Sequence, residues 1–104
     1  MLPVYFSPLA AKKLEWLCEY LEEEWGQNSK KKFLLRLAEI GSIIGTFPNG
    51  YPELRDFPGF RKCIVSKYTS LIFRVNESDV EVVTLIDNRQ DPDKILQELK
   101  DLFP

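Results

Sequence analysis

The stretch Phe60–Pro92, FRKCIVSKYTSLIFRVNESDVEVVTLIDNRQDP, decides the fold. It contains three runs rich in β-branched and aromatic residues: Arg61–Lys67, Leu71–Asn76 and Val80–Ile86. Such side chains suit a pleated, half-buried surface, so each run is predicted to be a strand. Asn76-Glu-Ser-Asp79 separates the last two with the short polar residues of a hairpin loop. Tyr68-Thr-Ser70 is a weaker break, and the first two strands run almost into each other. Connections this short make neighbouring strands antiparallel. The stretch is therefore a three-stranded meander, and what precedes it is predicted to be helical cover.

Working outward, Pro3–Ser7 alternates, with Val4 and Phe6 on one side and Tyr5 on the other, which predicts a short strand. Ser7-Pro8 is a helix start: Ser accepts a free backbone N–H and Pro sits where no N–H is needed. Leu14, Leu17, Cys18, Leu21 and Trp25 then recur as one helical stripe, against a face of Lys12, Lys13, Glu15, Glu19, Glu22 and Glu23. Gly26 ends this helix. Asn28 or Ser29 is predicted to cap a second one, with Phe33, Leu37, Ile40 and Ile44 as its stripe, Leu34 beside it, and Gly45 closing it. A connection of a few residues makes the pair an antiparallel hairpin. Lys30, Lys31, Lys32 and Arg36 crowd the start of the second helix, where cations oppose the helix dipole. They are read as a solvated face, including pairing with the acidic first helix, or as an anion-facing patch.

Thr46–Gly59, with Pro48, Gly50, Pro52, Pro58 and Gly59, reads as a loop in which Tyr51–Asp56 forms one helical turn or a tight bend. Beyond the meander, Asp91-Pro92-Asp93 starts a short C-terminal helix with the stripe Ile95, Leu96, Leu99 and Leu102. The order is β-α-α-β-β-β-α. The fold class is α+β: an antiparallel sheet, with the first strand on its edge beside the meander, covered on one face by helices.

At 104 residues the chain is expected to be one domain over 1–104. The N-terminus lacks a basic region followed by a long apolar run, and no stretch is long and apolar enough for a bilayer. Cytoplasmic residence without membrane association is the expectation. Cys18 and Cys63 have no metal-ligand spacing and are expected to be buried free thiols. There is no histidine, which removes the commonest general base and the usual nucleophile pairs. No cofactor or metal is implied. The net charge of −2 argues against binding nucleic acid mainly through its phosphates.

The order and several of its residues resemble the RelE/ParE toxin superfamily of bacterial type II toxin–antitoxin modules. Val4-Tyr-Phe-Ser-Pro-Leu-Ala-Ala11 resembles the strand that passes at once into a long helix. Phe47-Pro48 followed by Tyr51-Pro-Glu-Leu-Arg55 resembles the loop after the helical hairpin. Arg61-Lys62, Tyr68 and Ile72-Phe-Arg-Val75 resemble the central strands, and Val83–Pro92 resembles the last strand with its closing Arg-x-Asp-Pro. The resemblance implies one of two activities: cleavage of messenger RNA in the ribosomal A site, as in the RelE branch, or poisoning of DNA gyrase, as in the ParE branch. Either is silenced by a cognate antitoxin.

Ribonuclease chemistry requires a base, an acid and cations for the phosphate. The central-strand Arg of RelE falls at Thr69 or Ser70 here, and its C-terminal Tyr falls near Ile95. Arg89 matches a family Arg after the last strand, and Arg61 and Lys62 lie near the basic pair. The cations survive without a proton-transfer group, which favours a non-enzymatic, ParE-like gyrase poison of the plasmid-stabilisation kind. Arg61, Lys62, Arg74 and Arg89 are the candidate target-binding residues, and Arg61, Lys62 and Arg89 the only catalytic candidates should the chain be a ribonuclease. Each has a structural reading too: an edge charge for Arg61 or Lys62, a cross-strand pair with Glu81 or Glu77 for Arg74, a local ion pair for Arg89. Tyr68 is core or surface; Trp16 and Trp25 are expected to pack in the core or between helices. The expected partners are the antitoxin, docking on exposed apolar surface of the hairpin and sheet, and gyrase. The alternatives are a RelE-like enzyme whose partners are the ribosome and mRNA, and a non-toxic antitoxin-binding module. A homodimer and a heterotetramer with antitoxin are both open.

Overall fold

The computed structural model describes residues 1–104. The chain runs β1 (Val4–Phe6), α1 (Pro8–Trp25), α2 (Gln27–Thr46), a 3-10 turn (Pro48–Gly50), β2 (Glu53–Leu54), β3 (Phe57–Ile64), β4 (Thr69–Val75), β5 (Val80–Asp87) and α3 (Pro92–Leu102). The strands form one α+β sheet in the order β1-β5-β4-β3-β2. The meander is present, with β3, β4 and β5 antiparallel in turn.

β1 lies on the sheet edge, as expected, but it runs parallel to β5, with Val4 opposite Val80 and Phe6 opposite Val82. The path between them passes through two helices and three strands, ample for the crossover a parallel pair needs. A fifth strand, β2, lies within the stretch read as a loop. Glu53 and Leu54 pair with Arg61 and Phe57 around a tight turn at Arg55-Asp56, so β3 begins at Phe57 rather than Arg61. Pro52, Pro58 and Gly59 hide this pairing in the sequence. Pro52 lies just before the edge strand β2. Pro58 and Gly59 fall in the register shift between the Glu53–Arg61 and Leu54–Phe57 pairs, where neither is paired, and Gly59 takes a φ of +90°, open to glycine.

The Ser7 hydroxyl accepts from the Ala10 N–H at 3.0 Å and donates to the Val83 carbonyl at 2.8 Å. It caps α1 and pins that end to β5. Gly26, at φ +90°, is the whole connection between α1 and α2. The expected cap at Asn28 or Ser29 therefore falls inside α2, and Ser29 donates instead to the Trp25 carbonyl at 3.2 Å. α2 runs one residue past Gly45, which serves a different purpose. A Cβ there would sit 2.6 Å from the Leu2 carbonyl oxygen, and the Leu2 N–H donates to the Gly45 carbonyl at 2.9 Å.

The α2 stripe is buried as predicted: Phe33, Leu37, Ile40 and Ile44 meet Cys63, Val65, Leu71, Phe73, Val80, Val82 and Leu85. Leu14, Leu17 and Leu21 of α1 are half-buried around this core. α3 does not join that layer. Leu99, with Ile95 and Phe103 beside it, packs on Phe60, Ile72, Val83 and Ile86, which alternate with the hairpin-facing residues and so point to the other side of the sheet. The sheet is covered on both faces. A register shift at Ile72/Phe73 skips Val83 on β5, so Val83 and Thr84 both reach the α3 side.

Cys63 is a buried free thiol; Cys18 is free but only half-buried. Burial pushes the pKa of both up, so neither is primed as a nucleophile. Trp16 and Trp25 are not core residues, being 56% and 68% exposed.

Candidate functional site

Two concavities open between the elements. The larger, about 430 Å³, lies between α1 and the ends of β4 and β5. Leu17, Leu21, Phe33 and Leu85 line it with apolar surface, and Tyr20, Trp25, Tyr68 and Arg89 also border it. The smaller, about 210 Å³, lies between the Arg55-Asp56 turn, β3, the loop after β5 and α3.

The four candidate cations are not brought into one site. Arg61 sits on the hairpin side of β3, where its guanidinium donates to the Tyr51 carbonyl and lies 3.8 Å from Glu53. It ties the loop after α2 to the sheet. Arg74 is on the α3 side, opposite Glu81. Its Nε donates to a Glu81 carboxylate oxygen at 2.7 Å, and its guanidinium lies 4.8 Å from the Phe103 ring and 5.9 Å from Phe60. The cross-strand pair expected for Arg74 is present. Lys62 is also on the α3 side and lines the smaller cleft. Arg89 borders the larger groove, making two hydrogen bonds to Asp87 at 3.0 and 2.7 Å. Its guanidinium lies 4.2 Å from the Tyr68 ring, and Tyr68 is a surface residue at 45% exposure.

Sequence reasoning missed Arg55, which lines the smaller cleft, and Tyr20, which lines the larger groove. Arg55 sits between Glu53 and Asp56 in the sequence, which hides its lack of a partner; Tyr20 falls outside the apolar stripe. Of the lysines at the start of α2, Lys30 pairs with Glu22 of α1 at 2.7 Å, so pairing between the helices accounts for it. A second cross-element link joins Lys13 to Glu98, with the Lys13 ammonium also donating to the Thr84 hydroxyl at 2.8 Å.

The groups whose pKa is displaced all move away from neutrality. The Arg89 contacts hold the Asp87 carboxyl down at about 2. Hydrogen bonding to Lys30 lowers that of Glu22, and the reciprocal bonds raise those of Lys30 and Arg89. Burial raises those of Tyr5 and Tyr51. A general acid or base is most effective with its pKa near the working pH, and these shifts lead the other way. Thr69 and Ser70 are buried, and Ile95 packs with the α3 cluster.

A helical hairpin on a sheet with this strand order is the α+β toxin fold of the RelE/ParE superfamily. The chain matches the family model for the ParE toxin of type II toxin–antitoxin system, parDE, over residues 4–92. It belongs to that family: it is a ParE-family toxin of a toxin–antitoxin system.

Solved structures share the fold. The chromosomal ParDE toxin–antitoxin system from P. aeruginosa aligns with a TM-score of 0.71 at 18% identity, covering 84% of this chain and 96% of that one. The YoeB dimer from Staphylococcus aureus gives 0.57 at 17% identity, covering 82% and 94%. The E. coli DinJ–YafQ complex gives 0.50 at 13% identity, covering 86% and 96%. No curated protein matches the chain. No helix is long and apolar enough to cross a membrane.

Proposed function

We propose that this chain is a single-domain, cytoplasmic, non-enzymatic poison of DNA gyrase, neutralised by a cognate antitoxin. One observation carries the choice of target over the ribosome. The positions that resemble the RelE catalytic pair are held by buried hydroxyls, Thr69 and Ser70, and by Ile95 in an apolar cluster. No proton-transfer group stands in for them, and the displaced pKa values recede from neutrality. A gyrase poison needs binding surface rather than acid–base chemistry. Arg89 with Tyr68 is the most accessible of the candidate contacts, whereas Arg61 and Arg74 are tied into the sheet.

The antitoxin reading is supported by the exposed apolar and aromatic surface along α1 and the larger groove. The DinJ–YafQ relative is a complex, which supports a protein partner for this fold. An amphipathic helix laid into a groove of this kind buries its apolar face there.

The test is to incubate the purified chain with gyrase, ATP and supercoiled plasmid, then add detergent and protease. Accumulated linear DNA is the expected result. Intact plasmid, together with ribosome-dependent cleavage of mRNA, would overturn the reading in favour of a RelE-like enzyme. Inactivity in both assays by a folded chain that still binds antitoxin would make it a non-toxic binding module.

A further inference from the structure

The family match ends at residue 92, where α3 begins. α3 therefore lies beyond the part of the chain the family model describes. It builds the smaller cleft by walling off one face of the sheet with Ile95, Leu96 and Leu99.

The charges around that cleft are unusual for this molecule. The strands carry three cations: Arg61, Lys62 and Arg74. Arg61 has Glu53 and Arg74 has Glu81 as a carboxylate partner. Lys62, half-buried, has none. Arg55 on the facing turn also lacks a carboxylate partner. Asp56 is the single acid in the lining, so two cations against one acid leave the cleft at +1, in a chain of net charge −2.

The wall opposite is fixed in place. The Asn88 side chain accepts from the Ser70 hydroxyl at 2.5 Å and donates to the Ser66 and Lys67 carbonyls at 3.2 and 3.1 Å. The neighbouring Gln90 also lines the cleft, and its side-chain amide can donate. The rest of the lining is mainly apolar.

We propose that this cleft binds a small organic anion, a carboxylate or phosphate monoester carried on an apolar body. Lys62 and Arg55 hold the charged head, Gln90 adds a donor, and the half-buried Ile95 and Leu96 receive the apolar part. At about 210 Å³ the cleft is smaller than a drug-sized site, which restricts it to short-chain or single-ring ligands. A charge-assisted hydrogen bond to a partly desolvated ammonium is stronger than a neutral one. That gives the anion an advantage over an uncharged molecule of the same shape. The inference stands whether or not gyrase is the target.

The test uses the full chain, labelled with ¹⁵N and titrated separately with octanoate, hexyl phosphate and 1-octanol. Saturable shifts at the Gln90 and Leu96 amides are expected with at least one anion, and the stronger of the two identifies the head group. Lys62→Met keeps the apolar stem and should weaken that binding about tenfold or more, the scale of one charged hydrogen bond. Arg55→Gln, on an exposed turn, should weaken it without altering the melting temperature. Lys32→Met, on the exposed start of α2, should change nothing. Octanol binding as tightly as octanoate and hexyl phosphate, unchanged affinity in both cleft variants, or no saturable shift would each overturn the proposal.

Discussion

Replacing Leu99 with alanine tests whether α3 is part of the cooperative fold. Leu99 is 1% exposed and sits at the centre of the cluster formed with Phe60, Ile72, Val83 and Ile86. The truncation removes three carbons, worth roughly 2.4 kcal/mol at about 0.8 kcal/mol per buried methylene. The cavity left behind adds to that, and measured Leu→Ala costs in cores span about 2–5 kcal/mol. α3 packs on the sheet by one face only and can settle inward, which favours the lower half of that range, about 2.5–3.5 kcal/mol. For a domain of this size each kcal/mol lowers the melting temperature by about 4 °C or a little more, so a fall of roughly 10–15 °C is expected. Circular dichroism melting and urea titration of the two proteins measure it. Leu102→Ala is the control, because Leu102 is 40% exposed and should shift stability by no more than about 0.5 kcal/mol. A loss below about 1 kcal/mol for Leu99→Ala would refute the reasoning. So would a separate early melting step with the main transition unmoved, since either result makes α3 an appendage rather than a layer.

Gly45→Ala should destabilise by about 1–3 kcal/mol, since the new methyl would meet the Leu2 carbonyl at 2.6 Å; chemical denaturation reads it directly. Asp87 should titrate at about 2 in the folded protein, and in Arg89→Gln its midpoint should return toward 3.8, followed by carboxyl-carbon NMR. Because the folded pKa is the lower one, the stabilisation from this pair is present above pH 3.8 and fades as the pH falls toward 2. It is small, because both side chains are largely solvated. If Arg89 contacts the target, Arg89→Ala should reduce toxicity on expression while leaving the melting temperature nearly unchanged; a marked drop in melting temperature would make it a structural ion pair instead. Arg74→Met should cost about 1–3 kcal/mol by leaving Glu81, at 14% side-chain exposure, without its partner. Pairing it with Glu81→Gln should recover part of that loss in the same melt.

The helices and the meander were legible because their signals are local. Ser7-Pro8 and Asp91-Pro92 start helices by their own side chains, and Phe33, Leu37, Ile40 and Ile44 mark a face by spacing alone. β1 was legible as a strand, but three residues carry no record of direction; that is set by where α1 and α2 return the chain. β2 is two residues long, too short to show alternation, and its neighbouring prolines read as a loop. The face chosen by α3 could have been seen in the strands rather than in α3 itself. Leu71-Ile-Phe73 and Val82–Ile86 have apolar or neutral residues at successive positions, the mark of a strand covered on both sides. Trp25 extends the α1 stripe past the point where the sheet lies beneath it. Of the candidate site, the individual cations were legible but their separation was not. Arg61 and Lys62 are neighbours in sequence and point to opposite faces, so one is tied to Tyr51 and the other opens into the cleft.

The Ser7 hydroxyl reaches the Val83 carbonyl across 76 residues, and β1 has no partner except β5. β1 therefore waits for β5. Until β5 is made, the α1–α2 hairpin can form its own helical turns but has only part of the sheet to pack against, and β1 has nothing to join. Contacts between distant parts of a chain are slow to close, and here closure waits for β5. A chain halted anywhere before Val80 therefore has its helical hairpin but no closed sheet edge beside β1.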